Sequence, residues 1–225
     1  MREVHAMRVP DILGVIFDLD AVLADSMRPP VGALVEAGRT QSMARGSDFY
    51  PGLARAGREA EAGGWAHQTH TAFTWTAGFP QSWGVHLDAM PHHWPKPPGT
   101  HELIRLCRET RLKLAVASNA ERSQVEANLR RIDLPPESWD AIVTGENMTR
   151  KKPSPDIRLA AAQALRLRAE QCVALVDAAN GVRAARAAGM RCVAVTQTFA
   201  PVRLTEAQVV RRSLAEVWLA DLLGV

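Results

Sequence analysis

Three aspartates, one serine and one lysine stand at or near the ends of apolar stretches of this sequence. Asp18 and Asp20 follow GVIF, Ser118 closes LKLAVAS, Asp177 follows CVALV, and Lys152 lies in the polar stretch KKPSPD. Carboxylates that lie close together repel one another, and a hard cation such as Mg²⁺ binds oxygen ligands of this kind. A hydroxyl, the N–H groups of a helix start and a lysine suit phosphate oxygens. Together these residue types predict metal-assisted phosphoryl chemistry.

Each of these residues also has a purely structural interpretation. Asp18 and Asp20 could form a turn after a strand, and Asp177 could cap the following helix. Ser118 begins SNAE, which matches a capping box, and Lys152 lies in a basic triplet that could face solvent. For each residue alone the structural interpretation is the stronger. Their joint placement at predicted strand ends favours a shared site, because parallel sheets bind ligands there.

The elements that must position these residues alternate along the chain. Short apolar runs predict buried strands at 12–17, 112–117, 141–143, 172–176 and 192–195. Four stretches between them have helical periodicity. The first is 101–110, and the second has Val125, Leu129 and Ile132 on one face. The third begins with Ser154 as cap and Pro155 as first helical residue, and the fourth is NGVRAARAAGM, which ends at Gly189. This alternation predicts an α/β protein with a doubly wound, parallel, Rossmann-like sheet.

Residues 27–98 differ from the rest in composition. They hold most of the histidines, the proline-rich stretch PHHWPKPP, and the tryptophans Trp65, Trp75, Trp83 and Trp94. We predict an inserted, mainly helical cap over 27–97, and a core domain formed by 1–26 and 98–225. The histidines of the insert lack a metal-ligand spacing, so we expect them to be loop residues.

The overall composition argues against several classes of partner. The 225 residues are 47% hydrophobic and 23% charged, as in ordinary globular proteins. The net charge is +3, and the basic clusters are short and far apart, unlike the basic stripe of a nucleic-acid binder. The sequence has no apolar run long enough for a membrane span and no signal-peptide pattern. We expect a cytoplasmic protein with no nucleic-acid or membrane partner.

Three cysteines support the same expectation. Cys107, Cys172 and Cys192 lie among apolar neighbours and have no CxxC spacing. This odd number without a disulfide framework predicts reduced, buried thiols.

Four stretches of the chain, in their order and spacing, resemble the motifs of the haloacid dehalogenase superfamily. They are FDLDAVLADS, VASNA, KKPSPDI and LVDAANGVRAARAAGM. The resemblance covers residues 12–26 and about 98–225, and is greatest to the group of phosphoglycolate phosphatases, sugar phosphatases and β-phosphoglucomutases. Residues 27–97 occupy the place of the helical cap of that family without an obvious match.

The resemblance implies a role for each matching residue. Asp18 would be the nucleophile that forms an aspartyl-phosphate, and Asp20 the general acid and base. The presence of Asp20 argues against the dehalogenase branch. Mg²⁺ would be held by the Asp18 carboxylate, the backbone carbonyl of Asp20, and Asp177. The phosphate oxygens would be held by Ser118, the backbone N–H of Asn119, and Lys152.

Three positions depart from the family pattern. Ala21 stands where a glycine is usual, and it needs a compatible backbone conformation there. Val176 replaces an acid that often precedes Asp177, and Ala178 replaces a usual serine. We expect Val176 to weaken the Mg²⁺ site, or a water to replace the missing carboxylate.

We therefore expect a Mg²⁺-dependent phosphatase of a small phosphorylated metabolite, with a sugar phosphate as one candidate substrate. Two alternatives stay open. A phosphomutase of the β-phosphoglucomutase kind would need cap groups for a second phosphate. A non-catalytic or weakly active family member that binds a ligand or partner is favoured by Val176 and the poorly matched insert. The substrate and the oligomeric state are left open.

Overall fold

A parallel six-stranded sheet lies at the centre of the structure. The structure is a computed structural model, and it describes residues 11–24, 96–196 and 201–225. The strands are β1 (Gly14–Phe17), β2 (Lys113–Ser118), β3 (Ala141–Thr144), β4 (Cys172–Val176), β5 (Arg191–Val195) and β6 (Val209–Arg211). Their order is β3-β2-β1-β4-β5-β6, and every neighbouring pair is parallel. The predicted α/β fold with a parallel sheet is confirmed.

The first strand occupies the middle of this sheet, between β2 and β4. Val15, Ile16 and Phe17 have no exposed surface, as expected for a strand that is covered on both faces. The Phe17 ring packs edge-on against Trp139, with 5.7 Å between the ring centroids. The strand that precedes Asp18 is therefore held rigidly in the core.

Five α-helices connect or flank the described strands. They are α1 (Thr100–Glu109), α2 (Arg122–Arg131), α3 (Asp156–Ala164), α4 (Ala179–Ala187) and α5 (Leu219–Leu223). The predicted apolar face of α2 is confirmed, since Val125 and Leu129 are fully buried. The predicted stop after α4 is confirmed as well, because Gly189 has a φ of 74°, the left-handed conformation common after a helix end.

One local prediction was wrong, and one strand was missed. Helix α3 begins at Asp156, with Pro155 in the capping position and no side-chain cap. The Ser154 hydroxyl instead donates to the Asp156 carboxylate, at 2.8 Å, so it does not serve as the helix cap. Strand β6 was not predicted, because its three residues are only half-buried and form no extended apolar run.

The three cysteines are free and buried, as predicted. Burial raises the pKa of Cys107 and of Cys192 to about 12, and that of Cys172 to about 11. Thiols with such pKa values stay protonated near neutral pH and are poor nucleophiles.

The predicted cap lies outside the described residues, apart from residues 96 and 97. The tryptophans and histidines named above for that segment also lie outside them. Within the described part of the chain, no helix has both the length and the apolar character needed to cross a membrane.

Candidate active site

Three of the predicted site residues lie at the carboxyl ends of three adjacent strands. Asp18 follows β1, Ser118 closes β2 and Asp177 follows β4. In the sheet register, Phe17 pairs with both Val116 and Leu175, so these strands end within two residues of one another. The side chains are largely buried, with 6%, 3% and 6% of Asp18, Ser118 and Asp177 exposed. Asp20 lies in the turn after Asp18 and is half-buried.

Lys152 joins this group although it is far away in sequence. Its ammonium donates to Asp18 Oδ1 at 2.5 Å and to the Ala117 carbonyl at 3.0 Å. The alternative of a solvated lysine is therefore wrong. Burial lowers the pKa of Lys152, and the charge of Arg158 lowers it further, while Asp18 and Asp177 act in the opposite direction.

The segment after β2 does not form the capping box that SNAE suggested. Helix α2 begins at Arg122, and Glu121 occupies its capping position without a side-chain bond. The Ser118 hydroxyl instead accepts a hydrogen bond from the Ala120 N–H, at 3.2 Å. Ser118 thus belongs to a tight turn at the end of β2.

A close backbone contact fixes the neighbouring Asn119. A Cβ atom on Gly145 would lie 2.3 Å from the Asn119 carbonyl oxygen, so only glycine fits at position 145. The Asn119 side-chain oxygen accepts a long hydrogen bond from the Lys152 backbone N–H, at 3.4 Å. The loops that carry the predicted phosphate-binding residues are thereby connected.

Arg158 is a site residue that the sequence analysis missed. It lies on α3, has no exposed surface, and donates from its Nη2 to Asp18 Oδ1. Its Nη1 reaches the Ile16 carbonyl at 3.4 Å, and its Nε has no partner among the described residues. A usable signal was the helical spacing, which places Arg158 on the same face as the buried Ala161, Ala162 and Leu165.

The start of α4 closes the other side of the Asp18 carboxylate. A Cβ atom on Gly181 would lie 2.9 Å from Asp18 Oδ2 and 3.1 Å from the Val176 Cβ. The lack of a side chain lets the first turn of α4 approach the carboxylate closely. The positive end of the helix dipole adds a favourable interaction with this negative charge.

The oxygen donors of the site fit a hard cation in kind. The carboxylates of Asp18 and Asp177 and the backbone carbonyl of Asp20 would be the ligands, and Mg²⁺ commonly takes one or two carboxylates with waters and phosphate oxygens. Among the described residues, no three His, Cys, Asp or Glu side chains are grouped closely enough to hold a metal. Val176 is buried in the hydrophobic core and adds no oxygen. The residues fit a sparsely ligated Mg²⁺.

Comparisons with known proteins identify relatives along most of the chain. It is 34% identical over 220 residues to Protein SUPPRESSOR OF QUENCHING 1, chloroplastic, of Arabidopsis thaliana. The aligned region covers 94% of this chain and 21% of that protein. It is 36% identical over 132 residues to hexitol phosphatase B of Escherichia coli, and this aligned region covers 58% of this chain and 59% of that protein. The chain thus spans about a fifth of the length of the Arabidopsis protein and about three fifths of the length of the hexitol phosphatase. Its cytoplasmic location stays a prediction.

A solved structure of the same architecture gives further support. CbbY from Rhodobacter sphaeroides, determined as a mutant in complex with xylulose-(1,5)-bisphosphate, superposes with a TM-score of 0.71 at 27% identity. The match covers 94% of this chain and 99% of that one.

The family model of haloacid dehalogenase-like hydrolases matches residues 79–195. That range includes Ser118, Lys152 and Asp177, while Asp18 and Asp20 precede it. The family that the sequence motifs suggested is confirmed, and this chain belongs to the haloacid dehalogenase-like hydrolases.

Proposed function

We propose that this chain is a phosphoric monoester hydrolase that acts on a small phosphorylated metabolite, with Mg²⁺ as cofactor. The observation that carries the proposal is the grouping of Asp18, Ser118 and Asp177 at adjacent strand ends, with Lys152 bonded to Asp18 Oδ1. Two relatives support the substrate class. One is named hexitol phosphatase B, and CbbY was crystallised with a sugar bisphosphate.

In the proposed reaction, Asp18 and Asp20 divide the chemistry. An Asp18 carboxylate oxygen attacks the phosphorus of the ester and forms an aspartyl-phosphate while the bond to the leaving oxygen breaks. Asp20 gives its proton to that leaving oxygen. Asp20 then takes a proton from a water whose oxygen attacks the phosphorus. Inorganic phosphate leaves, and the Asp18 carboxylate is regenerated.

Other residues would hold the transferred group. The Ser118 hydroxyl, the Asn119 backbone N–H and the Lys152 ammonium would bind phosphate oxygens during the transfer. Asp18, Asp177 and the Asp20 carbonyl would hold Mg²⁺, which would supply positive charge that offsets the charge of the phosphate. The contact of Lys152 with the proposed nucleophile supports a role for it in binding the phosphate that this nucleophile would attack.

A second candidate function is favoured by one specific observation. The salt bridge from the buried Arg158 to Asp18 engages the proposed nucleophile, as expected of a family member that binds a phosphorylated ligand but turns it over slowly or not at all. The phosphomutase alternative depends on groups in the predicted cap, outside the described residues, and stays a prediction.

The experiment that tests the proposal is phosphate release from a panel of sugar phosphates and other small phosphate esters, with and without Mg²⁺. We expect Mg²⁺-dependent release that Asp20→Asn lowers by a factor of about 10²–10⁴, the usual contribution of general acid–base catalysis. Arg105→Met is the matched control, because Arg105 is exposed on α1 and pairs only with Glu109 among the described residues. A folded wild-type chain that releases no phosphate would instead support the binding function.

A further inference from the structure

The burial of Arg158 calls for a physical explanation. A buried ion pair costs desolvation energy that the attraction between its charges often fails to repay. The Arg158 Nε adds a buried donor with no partner among the described residues, which is a further cost. Apolar residues such as Ile157 and Ala161 occupy the same helix, so an apolar side chain could pack at this position. The guanidinium is therefore poorly explained as a stabilising residue.

The position of the guanidinium suggests what it does. Arg158 and Lys152 both bond to Oδ1 of Asp18, so two fixed positive charges lie on one carboxylate oxygen. Val176 supplies no compensating negative charge, since its side chain is part of the hydrophobic core. The carboxylate that would attract a divalent cation is thus already paired with two basic side chains, and Asp177 is the other carboxylate whose charge acts on Lys152.

We propose that Arg158, which bonds to the Asp18 carboxylate without any metal, lowers the affinity of the site for Mg²⁺ through its positive charge. The inference rests on the metal ligands of the proposed function. The physical reason is the Coulomb repulsion between a guanidinium and a divalent cation that share a carboxylate, which is strong where solvent is largely excluded.

The sign of the effect distinguishes this role from ordinary structural support. Removing a side chain that merely orients a metal ligand lowers metal affinity, typically by about 10–100-fold. Removing a competing charge raises it. We expect Arg158→Met to bind Mg²⁺ at least about tenfold more tightly than the wild type, because one repelling charge is gone.

The experiment is a calorimetric titration of Mg²⁺ into the full chain without substrate. Arg158→Lys keeps the charge and should bind Mg²⁺ within about threefold of the wild type, which separates charge from packing. Arg105→Met is the exposed arginine control and should leave the affinity unchanged. Circular dichroism of each variant establishes that it is folded. Arg158→Gln, which keeps an N–H donor for Asp18, replaces Arg158→Met if the latter does not fold.

Two results would overturn the inference: unchanged or weaker Mg²⁺ binding in the neutral variants, or binding below detection in the wild type and the neutral variants alike. The test is independent of turnover. Phosphate release by the wild type with no gain in Mg²⁺ affinity would reject this inference alone. Tighter Mg²⁺ binding in a chain that hydrolyses no ester would reject the proposed function alone.

Discussion

Two buried aspartates in this molecule are each held by an arginine, but in different ways. Asp221, at the start of α5, accepts hydrogen bonds from two nitrogens of one arginine side chain. Arg211 donates to Oδ2 at 3.0 Å and to Oδ1 at 2.6 Å, and the Trp218 backbone N–H donates to Oδ2 at 2.9 Å. Both oxygens are used, in the two-pronged geometry that makes such pairs strong.

The carboxylate of Asp18 is held unevenly by comparison. Arg158 and Lys152 share a single oxygen, and the Arg158 Nε is left without a partner among the described residues. Stability favours an arrangement in which both oxygens of a buried carboxylate accept hydrogen bonds, as they do at Asp221. An uneven network at a strand end, where ligands bind in this sheet type, indicates a site shaped by function at the expense of stability.

The comparison predicts its largest effect for Asp18→Asn. Loss of the carboxylate charge leaves the buried guanidinium of Arg158 without its counterion, which we expect to lower the free energy of unfolding by about 3 kcal/mol. Activity should fall by a factor of about 10³ or more, because the proposed nucleophile is gone. Urea denaturation followed by circular dichroism measures the first effect, and phosphate release the second.

The double variant Asp18→Asn with Arg158→Met is the control for this prediction. It removes Asp18 and Arg158 together and leaves only Lys152 without its partner, so part of the lost stability should return while activity stays absent. Additive losses in the double variant would mean that the two side chains do not depend on each other, and the contrast with Asp221 would lose its basis.

A smaller effect is expected for Asp221→Asn. We expect a loss of about 1 kcal/mol at neutral pH, a modest value because Arg211 is partly exposed and solvent screens the pair. The bonds from Arg211 are the main cause of the lowered pKa of Asp221. A lowered pKa gives stability that is present above about pH 4 and is lost as the pH falls below it. The difference between wild type and variant should therefore shrink from pH 5 to pH 2 in a urea series, and a difference that grows would contradict the assignment.

The smallest effect concerns the backbone near each aspartate. Ala21, beside Asp20, has a φ of 59°, whereas the left-handed position after α5 is taken by Gly224, with a φ of 78°. Ala21→Gly should stabilise the chain by about 0.5 kcal/mol, since relief of the backbone strain slightly exceeds the loss of a buried methyl group. Gly224→Ala should destabilise it by about 1 kcal/mol. Thermal unfolding of both variants tests this, and equal shifts of the same sign would contradict it.

The core strands were predictable because each is an apolar run bounded by polar residues. For CVALV the predicted and observed strands, residues 172–176, have the same ends. Strand β6 escaped prediction because Val209 and Val210 are followed directly by two arginines and are only half-buried. Its pairing with β5 depends on tertiary contacts that a three-residue segment does not encode alone.

Asp18, Ser118 and Asp177 were identified through their positions at strand ends, which the alternating pattern of the sequence specifies, whereas Lys152 lies in the connection after β3. Arg158 could not be found in that way, because an arginine on a helix is normally solvent-exposed. Its spacing from buried alanines placed it on the apolar face, but the carboxylate that neutralises it comes from β1, 140 positions away in the sequence. Such long-range charge pairing follows only from the assembled sheet.

The salt bridge between Arg158 and Asp18 also restricts the order in which the sequence can change over evolution. A lineage that replaced Asp18 with a neutral residue first would pass through a chain carrying an unpaired buried charge. Loss of Arg158 first leaves Asp18 bonded to Lys152 and is the easier path. Among relatives, an arginine at this helix position should therefore occur only together with an acidic residue after the first strand. Relatives that have lost the acid should carry an uncharged residue in place of the arginine.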